Sequence, residues 1–460
     1  MNRRNLYLVF CFLFSFVACE RQVGFENSED EGTDKSITYE GFFNTDEELK
    51  IHEIEIQISL SEWERLLSIL EENIKSDQYV KANFVYRSTP GSVDEVLVEE
   101  IGFRIRGNTT RRLPYANGKF QRAHFKLKFD KRFDQVEGTE AYEERRTRDF
   151  ADLEALNLKW GREGDEADVS QIREIYQYDM MRKAGLLVPK TTSVHLILNV
   201  DGQAIDYGMY TAIEPIDDEF LEKNMGYDEG DLYKCLWKGM GPATLSRSSA
   251  SGTRTGIGDA ETGYEPSYDL KHGELANGRL LDFTQQLATL ATDDLKNNLD
   301  EQVDVDLFLR YLAMNLILGM PDDYWGMGNN YYLFFPDEGK ITFIPYDYDH
   351  GLGGGWTPFD AAEAQIYEWW DGTGNAYRAL MKVFDYEDYR AKYEDYLYAF
   401  ALASDPLFDY DDYNTNYFEP LKQMYSPYLL NDTGEGETFE HYNESAYFSR
   451  KKSSLIEQLN

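Results

Sequence analysis

Carboxylates at the two ends of one short hairpin are the residues in this chain whose types and spacing could do chemistry. Asp322 and Asp323 precede an aromatic run, Asn330 to Phe335. Pro336, Asp337, Glu338 and Gly339 form a turn, Ile341 to Tyr346 reads as the return strand, and Asp347 and Asp349 follow it. Folding the hairpin brings its outer ends together, so these acids and Asn329 or Asn330 can converge. Asp347 and Asp349 are two residues apart, so an extended backbone points both to one side. Carboxylates and amide oxygens are hard ligands suited to Mg²⁺ or Mn²⁺, and this many acids repel one another without a cation. The glycines between Gly351 and Gly355 let backbone approach a ligand closely. Solvated loops also collect Asp and Asn, so the pattern alone leaves both readings open.

The elements that must position this stretch lie on both sides of it. Ile51 to Leu60 alternates apolar and polar residues and predicts a strand, with Ser61 and Glu64 as a capping box for the next helix. Ala82 to Phe129 predicts an antiparallel sheet. Arg106 lies in its polar loop, and Lys126 and Lys128 share one face of a strand. Lysines on a sheet beneath a glycine-containing loop suit nucleotide phosphates, although lysines on a solvated face are commoner. Ala167 to Leu187, carrying Arg173 and Glu174, predicts a helix ended by Gly185 and Pro189. Ser193 to Val200 and Tyr207 to Ile213 flank an Asp201-Gly202 hairpin turn, and Glu214 to Asp217 ends the sheet. Gly239 to Gly263 reads as a surface loop. Helices dominate afterwards: Leu280 to Leu290, Asp306 to Leu318, Tyr377 to Leu402 and Phe448 to Leu459. The fold class is therefore α+β, with a mainly antiparallel β lobe over 51–217 and a mainly helical lobe over 218–460 that holds the hairpin at 321–355.

The 460 residues and an aromatic fraction of 15% suffice for a large core. A net charge of −38 argues against nucleic acid as a partner. Residues 1–18 read as a signal peptide, with Arg3 and Arg4 before an apolar run. The run ends Phe16-Val17-Ala18-Cys19, which resembles a bacterial lipobox with Phe where Leu is usual. The expectation is cleavage before Cys19, lipidation of that residue, and a flexible acidic tether over 19–50. The protein would then be an exported, membrane-anchored lipoprotein of the bacterial cell envelope. Of three cysteines, Cys11 lies in the signal and Cys19 is lipidated, so Cys235 has no disulfide partner.

An ordered set of segments resembles the spore coat protein H family (CotH kinases), atypical two-lobed protein kinases, over roughly 51–460. Arg104 to Thr110 resembles its R-G-N-S-S segment, with threonines for serines. Phe125 to Phe129 resembles its basic strand, and Asp168-Val169-Ser170 through Gly185 its first helix. Gly208-Met209-Tyr210 with Glu214 and Asp217 resembles G-x-Y-x-x-x-E-x-x-D. Leu232-Tyr233-Lys234, Asn330-Tyr331-Tyr332 and Ile344 to Asp349 complete the series, with Tyr346 where Trp is usual.

The resemblance implies an ATP-dependent protein kinase that uses Mg²⁺ or Mn²⁺ and phosphorylates Ser or Thr of exported proteins. Such chemistry is mainly positioning and charge neutralisation. Lys126 or Lys128 would hold the phosphates with Arg106, and Glu174 would orient the lysine. Asp323, or its rival Asp322, would face the acceptor. Asp347 would hold metal, supported by Asp349 and Asn330, and Ala212 to Glu214 would lie beside adenine. Asn329 and Asn330 are six and seven residues after Asp323 rather than five, and no G-x-G-x-x-G precedes the lysines. A competing reading is a non-catalytic cell-surface lipoprotein on a pseudokinase scaffold, recognising a glycan or protein.

Overall fold

Seven strands close into a barrel because hairpin turns and alternating apolar residues let each strand pair on both edges. The computed structural model describes residues 37–45, 47–108, 110–161, 170–239, 241–246, 256–258, 265–355, 357, 359–369, 378–435, 439–440 and 444–460. The barrel strands are β1 (Ile51–Ile58), β2 (Val80–Arg87), β3 (Glu95–Ile105), β4 (Phe125–Lys128), β5 (Ala155–Lys159), β6 (Thr191–Val200) and β7 (Gln203–Ile213). Their spatial order is β1-β2-β3-β4-β5-β7-β6. All neighbours are antiparallel except the closing seam, where β1 runs parallel to β6 from Ile51 opposite Ser193 to Ile58 opposite Val200. The Asp201-Gly202 turn has both residues at positive φ, 52° and 88°, as a type I′ hairpin turn needs.

A five-stranded sheet follows, with Ile257–Gly258 beside β9 (Tyr268–His272), then β8 (Gly230–Cys235), β10 (Tyr331–Pro336) and β11 (Thr342–Pro345). The hairpin expected around Pro336–Gly339 is β10–β11, and β8 pairs along its other edge, with Lys234 opposite Tyr332. Helix α4 (Val305–Leu318) packs under β11 and is buried on nearly every side. Its Asp304 N-cap and left-handed Gly319 fix its limits. Helix α6 (Glu387–Ala401) lies along α4, and α7 (Glu444–Leu459) against α6. Helix α2 (Ser170–Lys183), inserted between β5 and β6, is buried too, and its polar residues Arg173, Glu174 and Gln177 are at most 1% exposed. The chain is thus a mixed α+β protein. Among the described residues no helix is long and apolar enough to cross a membrane.

Three expectations are corrected here. The sequence places 38–50 in a tether, but Tyr39–Phe42 is a helical turn and Phe42 and Phe43 are fully buried. Phe42 stacks on His52 and meets Phe150 edge-on, and burying each such ring contributes about 1.5–3 kcal/mol. The helix α1 (Leu60–Glu72) is capped by Ser59, whose hydroxyl accepts from Glu62 N at 3.3 Å, and not by Ser61. The 351–355 glycines serve packing: a Cβ at Gly354 would collide with the Arg173 guanidinium, and one at Gly351 with Gln177 and with Leu318 O at 2.9 Å. Cys19, the signal and most of the 239–263 loop lie outside the described residues.

Candidate active site

β4 and β5 build the site's first wall. Lys126 pairs with Asn157 and Lys128 with Ala155, so these four residues share one face of the barrel wall. Lys159, two residues beyond Asn157, shares that face too. The opposite face carries Phe125, Leu127, Leu156 and Leu158, all 0–1% exposed, in the barrel interior. The three lysines nonetheless have different partners. Lys128 forms ion pairs with Asp130 at 2.9 Å and Glu154 at 3.5 Å. Lys126 stands near Tyr79, Arg104 and Asp217, and burial lowers its pKa.

Lys159 is the lysine that reaches the acids. Its Nζ lies 2.8 Å from Glu174 Oε1, 2.5 Å from Asp347 Oδ1 and 3.1 Å from Asp349 Oδ2. Glu174 therefore pairs with Lys159, not with Lys126 or Lys128. Nothing in a run of alternating leucines marks Lys159 as special; only the register of β5 against β4 reveals it. Burial works against the ammonium, but Asp347, Asp349 and Glu174 outweigh it and hold the Lys159 pKa well above its usual value. Burial pushes Glu174 up to about 7, with Asp349 and Asp347 adding to the rise and Lys159 opposing it. Burial also works on Asp347, yet Lys159 overcomes it and the pKa falls below the ordinary value.

Both outer ends of the hairpin are left-handed. Asp347 has φ 63° and Asn330 φ 53°, a conformation that Asp and Asn tolerate better than other side-chain-bearing residues. The Asp347 N–H donates to Tyr178 Oη at 2.8 Å, and Tyr346 N donates to Asn330 O at 3.1 Å. Asn330 Nδ2 in turn donates to Asp322 O at 2.9 Å, which ties the start of the stretch to its end. Such backbone outliers at a carboxylate cluster are where active sites store strain.

Asp322 and Asp323 face different ways. Asp323 is fully buried and caps α5 (Tyr324–Met327); it accepts from Gly326 N at 2.6 Å and from Tyr311 Oη at 2.6 Å. Burial pushes it up to about 7, against those hydrogen bonds. The structure thus turns Asp323 inward. Asp322 is half-buried and accepts from Asn329 Nδ2 at 2.7 Å, while Asn329 Oδ1 accepts from Trp237 N at 2.7 Å. Arg106 does reach the site, donating to Tyr346 Oη and lying close enough to feel Asp347 and Glu174. Glu214 is engaged elsewhere: buried, it accepts from Tyr39 Oη at 2.5 Å and Lys190 N at 3.0 Å.

Three carboxylates face one ammonium, leaving negative charge in excess, and the Asp347 side chain is 33% exposed while Asp349 is 3% exposed. Asp347 and Asp349 would hold a divalent cation, although both also lie against Lys159, as Glu174 does. Among the described residues, the grouping of three or more His, Cys, Asp or Glu ligand atoms within 4.8 Å of one another is Asp218, Asp228 and His272, which includes none of the acids paired with Lys159.

A lysine held by a helix glutamate beside an aspartate at a hairpin's end is the arrangement kinase-type phosphotransferases use. The sequence profile of the CotH kinase protein family matches residues 103–457, and the chain belongs to that family. It is 26% identical over 187 residues to the inner spore coat protein H of Bacillus subtilis, a match spanning 40% of this chain and 48% of that protein. It is 24% identical over 197 residues to the invasin CotH7 of Rhizopus delemar, spanning 41% of this chain and 30% of that one. The matched region is thus less than half of each of these relatives. The crystal structure of the Helicobacter pylori proinflammatory kinase CtkA aligns over 66% of this chain and 89% of its own, at 10% identity and a TM-score of 0.24.

Proposed function

We propose that the chain is an ATP- and divalent-metal-dependent protein kinase acting on Ser or Thr of exported proteins. The observation that carries this reading is the contact of Lys159 with both Glu174 and Asp347. In this reading the barrel is the N-terminal lobe and the sheet and helices after Asp217 form the C-terminal lobe. The bound cation would supply charge neutralisation for the phosphates.

The side chains then divide the work. Glu174 fixes the Lys159 ammonium so that it presents its charge to the phosphates without reorganising. Asp347 and Asp349 hold the cation. Asp322 faces the acceptor hydroxyl in place of Asp323, since it is half-buried and held by Asn329 whereas Asp323 is fully buried. Lys126 remains a candidate for phosphate contact from the same barrel face. The segment from Ala212 to Glu214 is the hinge beside adenine, although the Glu214 carboxylate is taken by Tyr39 and Lys190 N, and its N–H by Lys190 O. Lipidation at Cys19 would hold the enzyme at the envelope membrane.

The test is transfer of label from ATP to the protein itself or to Ser/Thr peptides, with Mg²⁺ or Mn²⁺ supplied. Label that depends on Lys159 and on metal supports the reading. Nucleotide binding without transfer favours a pseudokinase, and absence of both overturns the kinase assignment.

A further inference from the structure

The five-stranded sheet sends a second cation toward Tyr346 and Asp347. Lys234 on β8 sets its Nζ 4.6 Å from the ring centroid of Tyr346 and 5.7 Å from that of Tyr332. Arg106, from the loop after β3, donates to the hydroxyl of the same Tyr346. Two cations therefore converge on one phenol, and the next residue is Asp347. Among the described residues no carboxylate lies within ion-pair distance of either cation. That is unexpected in a chain with 84 acidic and 46 basic residues, where a carboxylate partner is easily found.

The surroundings make the lack costly. Lys234 is half-buried, and its charged neighbours are mostly of its own sign: Arg106, Lys271 from β9 and Lys238 from the loop after β8, with Asp347 as the opposing charge and Tyr332 and Tyr346 beneath it. Burial, then Arg106 and Lys271, lower its pKa well below the usual lysine value. Asp347 and Glu174 favour the Arg106 cation, but Lys234 is a desolvated ammonium with no carboxylate at ion-pair distance, and a multi-oxygen anion would relieve it. A lysine offers a point charge and an arginine a planar fork, a combination suited to phosphate.

We propose that Lys234 joins Arg106, already expected at the phosphates, in binding phosphate oxygens of the nucleoside triphosphate, so that its phosphate chain is gripped by Lys159 from the barrel and by Lys234 from the five-stranded sheet. This inference rests on the kinase reading and adds a phosphate-binding residue to it. Lys234 would make the site discriminate a triphosphate from the bare nucleoside.

Calorimetric titration of the protein with a non-hydrolysable ATP analogue plus Mg²⁺, with inorganic tripolyphosphate and with adenosine tests it. Lys234→Met keeps the chain length and packing over the tyrosines but removes the charge. It should weaken the analogue and tripolyphosphate about tenfold or more, the scale of a lost charge-assisted hydrogen bond. Adenosine affinity should stay unchanged, and Lys234→Arg should recover most of the loss. Wild-type affinity for the analogue in Lys234→Met, with Lys159→Met impaired, would overturn this inference and leave the kinase reading standing. Parallel loss of adenosine would make Lys234 a structural residue and also overturn it. If the wild type binds tripolyphosphate through Lys234 but no nucleotide, the anion site stands and the kinase reading falls; binding of neither removes both. Should Lys234→Met not fold, Lys234→Gln is read in the same way.

Discussion

Lys159 and Glu174 are joined across the barrel wall and the inserted helix, Nζ to Oε1 2.8 Å, with side chains 9% and 1% exposed. Removing one member of a buried pair typically costs about 3–5 kcal/mol, because the other charge is stranded. In Lys159→Met three carboxylates lose their shared cation. We expect a lower melting temperature, with the deficit shrinking as pH falls, since the freed acids gain protons more readily in the folded state. Phosphotransfer should fall by more than about 10²-fold. Melting curves between pH 5 and 8 and transfer assays check both; an unchanged melting temperature would refute the energetic role of the pair.

Asp322 and Asp323 should separate by assay. Asp322→Asn should leave the melting temperature near wild type while transfer falls about 10²- to 10⁴-fold, the range of base and positioning effects. Asp323→Ala should instead lower stability by about 1–3 kcal/mol, since Tyr311 Oη and Gly326 N lose a buried acceptor. Denaturant titration beside transfer kinetics distinguishes them, and the reverse pattern would restore the catalytic role to Asp323.

How much of this was legible in the sequence varies with the residue. Asp347 and Asp349, two residues apart, do share one partner, but that partner is Lys159, and Glu174, expected beside Lys126 or Lys128, pairs with Lys159 too. Lys159 was not legible: Lys126, Lys128 and Lys159 all sit on β-strands with apolar alternation, and the register that puts Lys159 among the acids comes from pairings between distant segments. Neighbouring acids such as Asp322 and Asp323 carry the same chemistry, and only the cap of α5 and Tyr311 decide which one turns inward. Phe42 and Phe43 lay in a polar stretch whose average hid two core residues.

The pKa of Asp323 predicts a pH effect of definite sign. Its folded value is raised from 3.8 to about 7, so the native state holds a proton that the unfolded chain releases near 4. Its stabilising share is full below that and declines by about 1.4 kcal/mol per pH unit as pH rises toward 7. Asp323→Asn removes the dependence. The stability difference, wild type minus variant, should shrink from pH 4 to 7.5, and a difference that grows over that range would contradict the assignment. Glu214, also pushed up to about 7, acts in the same direction in both proteins and cancels.

Nucleotide should stabilise the fold more strongly with Mg²⁺ or Mn²⁺ than with chelator, because a ligand that binds only the native state raises its melting temperature. Asp347→Asn should abolish the metal-dependent part of the shift. Equal shifts with and without metal would count against the Asp347–Asp349 site.

Changing Cys19 to Ser should release the protein from the membrane fraction. Fractionation followed by immunodetection is sufficient, and unaltered membrane association would sink the lipoprotein reading.

The parallel seam between Ile51–Ile58 and Thr191–Val200 has a kinetic consequence. During synthesis the first strand leaves the ribosome well before its closing partner exists, and until then one of its edges offers unpaired amides and carbonyls to any passing strand. Closure must also wait for a long loop to be ordered, which slows folding in proteins dominated by non-local pairing. An open edge of that duration makes newly made chains dependent on dilution or on a holding chaperone, and refolding yield should fall steeply with protein concentration even though the finished barrel has no free edge at that seam.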